Sequence, residues 1–112
     1  MSPDDRVRLR HMADAAESAL RFVKGRARAD LDADEMLLFA LVRAVEIVGE
    51  AATKVSVEAR AETLDVSWSV IVGMRNRLVH AYFEVDRDIV WTTVTQALPP
   101  LLAQLKSILA RG

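Results

Sequence analysis

Residues 35–55, EMLLFALVRAVEIVGEAATKV, decide how this chain folds. Leu38, Leu41, Val45, Val48, Ala52 and Val55 recur at helical spacing and form one long stripe. Leu37, Ala40, Ala44, Ile47 and Ala51 widen that stripe well beyond a single face, while Arg43, Glu46, Glu50 and Lys54 share a narrow polar strip. A helix this apolar around its circumference must be covered on more than one side, either as the centre of a bundle or in an oligomer interface.

The residues on either side supply the covering elements. Upstream, Ser2-Pro3-Asp4-Asp5 combines a capping hydroxyl, a proline suited to the first turn and two acids for the positive end of the dipole. Leu9, Met12, Ala16, Ala19 and Val23 then mark the apolar stripe of a first helix, which Gly25 ends. The run GRARADLD is expected as a polar connector, and Asp32 with Glu35 reads as a capping box for the second helix. Downstream, SVEARAETLDV suggests one helical turn and a loop. Ser67 is placed to cap a third helix running through Trp68, Ile71, Val72 and Met74. YFEVD reads as a loop whose Asp86 caps a last helix with its stripe at Val90, Val94, Ala97, Leu101, Leu105 and Ile108. Pro99-Pro100 falls inside that helix and predicts a kink or break near Leu98. No stretch alternates as a strand would. The expectation is an all-α fold: an antiparallel bundle of four main helices plus a short extra helix, in one domain spanning residues 1–112, and dimeric.

Composition narrows the chemistry. The chain has 112 residues, 52% of them hydrophobic, a net charge of −1 and no cysteine. A near-neutral balance removes the global basic field of an avid nucleic-acid binder, so any such contact has to be local. Without cysteine there are no disulfides, thiolate nucleophiles or thiolate metal sites. No His, Asp and Glu cluster has ligand spacing, so no metal and no cofactor are expected. The charged start MSPDDRVRLRH and the absence of a run of ~20 apolar residues point to a soluble cytoplasmic protein without a membrane segment.

One stretch carries candidate chemistry: residues 75–82, RNRLVHAY. Arg75 offers a permanently charged planar fork suited to phosphate, and His80 an imidazole that exchanges protons near neutrality. Together they suffice for RNA cleavage without a metal: the histidine takes the 2′-OH proton or protonates the leaving 5′-oxygen, and the arginine offsets charge on the phosphate. Five positions of continuous helix turn through about 140°, so one helix would hold the two on different sides. Either the helix ends before His80 or the site is completed where two copies meet. Asn76 would share a helical face with His80 and could orient it. The spacing alone is weak, because Arg6 and His11 repeat it.

The longer string IVGMRNRLVHAYFEVDRDIVW resembles the HEPN superfamily, specifically the HepT-like ribonuclease toxins, whose R-x4-H-x-Y motif is met by Arg75, His80 and Tyr82. RAVEIVGEAATKV is similar to the family's second-helix block at Arg43, Glu46, Ile47, Gly49, Glu50 and Ala51. The resemblance implies a homodimeric helical bundle that cleaves RNA without metal. It further implies a minimal nucleotidyltransferase antitoxin as partner, which silences the toxin by transferring AMP to Tyr82. Charge and bulk two residues from His80 would then occupy the place of the RNA phosphate. Two departures stand out: Ala81 replaces a usual glycine between His and Tyr, and Ala44 stands where asparagine is frequent. Arg77 is a candidate phosphate contact. Glu46 and Glu50 read as salt-bridge partners of Arg43 or Lys54, or as supports of the site. Trp68 and Trp91 read as core or interface anchors, and Gly49 as a point of close helix approach. The rival reading is a non-catalytic helical subunit that docks a nucleotidyltransferase, which the near-neutral charge favours.

Overall fold

The structure, a computed structural model, describes residues 1–80 and 84–111, with Val79 and His80 described by their backbone. Helices α1 (Pro3–Val23), α2 (Asp30–Ala33), α3 (Glu35–Thr53), α4 (Val57–Ala61) and α5 (Trp68–Arg77) lead into an antiparallel pair of two-residue strands, β1 (Val79–His80) and β2 (Glu84–Val85). Helix α6 (Arg87–Thr92), a π-helical segment over Thr93–Ala97 and helix α7 (Leu98–Ala110) follow. The chain is therefore mostly helical, as its sequence implies, and the short strand pair is the departure.

The apolar stripe of α3 is covered as its breadth demands. Leu38, Leu41, Val45, Val48 and Ala52 are buried, and so are Leu37, Ala44 and Ala51 on the widened flank. Helix α1 packs along one side, burying Leu9, Met12, Ala16 and Ala19, and α5 packs along another with Trp68, Ile71 and Met74. Helix α7 lies against α1 and buries Leu98, Leu101, Leu105 and Ile108. Trp68 is a core anchor: its indole N–H donates to the carbonyl and hydroxyl oxygens of Thr63, each at 3.2 Å, and the Arg60 guanidinium lies 5.6 Å from its ring centre. Trp91 is half-buried against the same core.

The helix ends follow local chemistry, with two corrections. Ser2 caps α1, and α1 closes at Lys24 with Gly25 in the left-handed region at φ 74°. The cap of α3 is Asp34 rather than Asp32. The Asp34 carboxylate takes Arg26 at 2.8 Å and accepts the Leu37 N–H at 3.0 Å, and these bonds, the Arg26 one foremost, hold it below the ordinary carboxyl range. Asp32 lies inside the unforeseen helix α2 and pairs instead with Arg28 at 3.2 Å. Ser67 stands at the start of α5 but its side chain makes no capping bond, and the Ser67 carbonyl accepts the Ile71 N–H at 3.0 Å. Asp86 does cap α6, through the Ile89 N–H at 3.0 Å.

The proline pair does not break the last helix; it widens it. Pro99 and Pro100 fall in the first turn of α7, where missing N–H groups cost least. The Leu98 N–H reaches back five residues to the Thr93 carbonyl, so the preceding turn is π-helical. The Thr95 hydroxyl donates to the Trp91 carbonyl at 2.7 Å within it.

A buried carboxylate joins the start of α1 to the start of α4. Asp5 accepts from the Ser56 N–H at 2.8 Å and from the hydroxyls of Ser56 and Ser2 at 2.7 and 3.0 Å. The Ser56 backbone bond is the largest cause of its lowered pKa, followed by the Ser56 hydroxyl. Bonds to a charged acceptor are worth about 1.5–3 kcal/mol each. Asp5→Asn is expected to lower unfolding free energy by roughly that amount at pH 7, measured by urea denaturation. A depressed folded pKa stabilises fully above the unfolded carboxyl value of ~3.9 and ceases to do so as pH falls through the folded value. The gap between the two proteins should therefore start to narrow as pH falls below about 4, and a constant gap down to pH 2 would refute the assignment.

Candidate functional site

Helix α5 delivers Arg75 and then stops. Its last turn holds Arg75 and Arg77, cations favourable at the negative end of the dipole. The fully buried Leu78 closes it, donating its N–H to the Arg75 carbonyl at 3.1 Å. The Leu78 carbonyl then accepts the Asp86 N–H at 2.7 Å. Beyond this clamp Val79 pairs with Val85 and His80 with Glu84. One end of the hairpin is thus pinned to the core by Leu78 and to the start of α6 by the capping residue Asp86.

This settles one alternative left open by the spacing. The helix ends before His80, so Arg75 lies on a helix and His80 on a strand. It also corrects one expectation: Asn76 and His80 share no helical face, because the helical path stops at Arg77, three residues short of the histidine. Asn76 instead faces a groove between α5 and α6. The His80 imidazole, Ala81 and Tyr82 lie outside the described residues.

On the α3 side, the Glu46 carboxylate stands 3.4 Å from Arg75 Nε. Glu46 is the more buried partner, at 27% side-chain exposure against 57% for Arg75. A carboxylate on the Nε edge orients the guanidinium plane, with the terminal amino groups as the part suited to a phosphate. The partner assignments for Glu46 are thereby corrected: Glu46 pairs across helices with Arg75, and Glu50 pairs with Arg43 at 3.5 Å. Arg77 turns back along its own helix, donating from Nη2 to the Val70 carbonyl at 3.0 Å. Among the described residues, no group of three or more His, Asp or Glu side chains could hold a metal ion. None of the described helices is long and apolar enough to cross a membrane.

The sequence block around Gly49 and the motif helix meet here. A Cβ at position 49 would lie 3.7 Å from the Ile71 carbonyl oxygen, 3.8 Å from that of Val72 and 3.9 Å from Arg75 Cβ. Those are ordinary contact distances, so α5 approaches closely without requiring glycine.

Comparison with known proteins resolves what this arrangement belongs to. The family model described as Ribonuclease HepT-like matches residues 12–108. The chain belongs to the HepT-like ribonuclease family. It is similar to "Putative RNase TTE0752" of Caldanaerobacter subterraneus subsp. tengcongensis, at 38% identity over 92% of this chain and 92% of the relative. It is also similar to "Probable ribonuclease HepT" of Thermococcus cleftensis, at 31% identity over 89% of this chain and 91% of the relative. A third relative, "Putative RNase MJ1380" of Methanocaldococcus jannaschii, is 29% identical over 94% of this chain and 96% of its own length. No solved structure gives a significant match. Family and relatives together support a ribonuclease.

Because a methyl group fits at Gly49, Gly49→Ala should raise stability by up to about 1 kcal/mol, the helix-propensity difference. Thermal or urea unfolding checks this, and a loss of stability would mean that position 49 is crowded in the assembled protein.

Proposed function

We propose that this HepT-like family member is a metal-independent RNA endonuclease, the toxin of a pair with a minimal nucleotidyltransferase antitoxin, and that it acts as a homodimer. Family membership supports the nuclease reading. The observation that carries the site is the change from helix to strand between Arg75 and His80, which frees the histidine from the far side of α5.

In this reading Arg75 and His80 are the catalytic residues. The His80 imidazole takes the proton of a ribose 2′-OH, whose oxygen attacks the adjacent phosphorus, and the P–O5′ bond breaks as the 5′-oxygen gains a proton. With two motifs across a dimer cleft, one imidazole accepts and the other donates. Arg75 balances the charge gathering on the phosphate oxygens. Glu46 acts through Arg75 as a positioning residue. Asn76 has a supporting role from the groove wall, and Arg77 is a phosphate contact once its bond to Val70 is exchanged for one to RNA. Tyr82 is the AMP acceptor through which the antitoxin silences the site, since a bulky anion there repels the RNA phosphate.

The purified protein should cleave RNA in EDTA, and His80→Ala or Arg75→Ala should each slow cleavage by roughly 10²–10⁴-fold with folding intact by circular dichroism. Glu46→Gln should slow it less, while changing stability by under ~1 kcal/mol, as for an exposed ion pair. Cleavage by His80→Ala at the unchanged rate would sink the assignment. For Tyr82, incubation with the partner and ATP should add one AMP, located by peptide mass analysis; modification confined to other residues would rule that role out.

A net charge of −1 favours a second reading, a non-catalytic subunit that docks a nucleotidyltransferase, because sequence-independent RNA affinity needs many phosphate contacts. Growth arrest on expression without the partner, relieved by His80→Ala, supports the nuclease. Harmless expression together with stable binding of the nucleotidyltransferase supports the docking subunit.

A further inference from the structure

Arg75 looks towards α3, but the next two residues of the motif look elsewhere. Asn76 and Arg77 line a groove of about 710 Å³ between α5 and the α6–π segment. That volume falls in the range of small-ligand sites, ~300–1,000 Å³. The groove has two chemically distinct parts. Val70, Met74, Ile89 and Ala97 supply apolar surface, and Asn76, Thr92, Thr93 and Gln96 supply neutral amides and hydroxyls. Its carboxylate, Asp88, is engaged by Arg28 Nε at 2.6 Å, which draws that charge towards α2.

The wall opposite Asn76 is built by the proline pair. The π turn ahead of Pro99 inserts an extra residue, and Thr92, Thr93, Gln96 and Ala97 all reach the groove from it or its edge. π turns recur at functional positions because the wider helix re-aims side chains. Here the re-aimed groups are an amide and hydroxyls, each able to donate and accept.

An apolar slot edged by neutral two-way hydrogen-bonding groups fits a flat heterocycle with donors and acceptors on its edge. Single-stranded RNA is read in this way, by unstacking a base and bonding its edge. We propose that this groove is a nucleobase subsite, receiving a base of the strand that flanks the cut, with Gln96 and Thr93 determining which base is preferred. Asn76 and Arg77 form its entrance, and Arg77 contacts the phosphate of the bound nucleotide. The subsite rests on the ribonuclease reading for its place in the reaction, and the binding itself stands apart from catalysis.

Two measurements test it separately. The first titrates the His80→Ala protein with AMP, GMP, CMP, UMP and ribose 5-phosphate, following amide shifts by NMR. The expected result is binding that differs among the four bases, with shifts at Thr93, Gln96 and Ala97, and its loss in Ala97→Phe, whose ring fills the slot. Equal binding of ribose 5-phosphate, shifts that avoid these residues, or unchanged binding in Ala97→Phe would overturn the subsite. A dimer-to-monomer change in Ala97→Phe by sedimentation, with no nucleotide shifts in the parent, would reassign the groove to a contact between copies.

The second measurement sequences cleavage products from a random RNA pool. Gln96→Ala and Thr93→Val should reduce the preference at one position flanking the cut by roughly 2- to 10-fold each, the worth of one neutral hydrogen bond. Cleavage with unchanged preference in both variants would refute their role. If no protein in the series cleaves RNA, the nuclease reading fails, and the nucleotide titration still decides whether the groove binds a base.

Discussion

A helix that is apolar around most of its circumference can only exist under cover, and α3 imposes that requirement on everything else. Each leucine or valine side chain it buries removes about 1.5–3 kcal/mol of unfavourable hydration. Helix α1 meets this need on one side and α5 on another. The position of α5 is the consequence that bears on the candidate site. Ile71 and Met74 must face the core, which turns Arg75 to the polar strip of α3, where Glu46 receives it. The core thus sets the azimuth of the motif arginine.

The axial position of the site has a different origin. Leu78 is fully buried, and its two backbone groups are spent on ending the helix and closing the hairpin. A buried leucine at the exit of a helix fixes that exit far more firmly than a solvent-exposed cap would, because releasing it exposes apolar surface and two hydrogen bonds together. The hairpin therefore leaves from a rigid point. Asp86 anchors its return strand by capping α6, so the segment carrying His80 is held at its base. Catalytic groups are commonly presented like this, on short connections supported by rigid elements.

Charge is organised locally. The chain as a whole is nearly neutral, yet three of its arginines join separate elements: Arg75 to Glu46, Arg28 to Asp88, Arg6 to the Leu109 carbonyl. Exposed pairs of this kind contribute little stability. Their value lies in orientation, and Glu46 is the case that bears on the site.

Much of this was legible in the residues themselves. The stripes of α1, α3 and α7, the caps at Ser2 and Asp86 and the disturbance ahead of Pro99 are local properties, set by side-chain periodicity and by which backbone groups lack partners. The family followed from two blocks whose order and spacing are also linear facts. What the residues left open depended on neighbours distant in the chain. Asp34 rather than Asp32 caps α3 because one of its carboxylate oxygens takes Arg26 while the other accepts the Leu37 N–H, and α2 occupies the connector. Glu46 pairs with Arg75 rather than with its helix neighbours because packing α5 on α3 brings that cation closer than sequence spacing reveals. Asn76 shares no helical face with His80 because α5 ends at Arg77, where the fully buried Leu78 closes it. The main helices and the candidate residues are local in origin, since periodicity and capping act over a few residues. Tertiary structure decided which side chains share a face, since the buried surface that rotates and ends each helix is contributed by the rest of the chain.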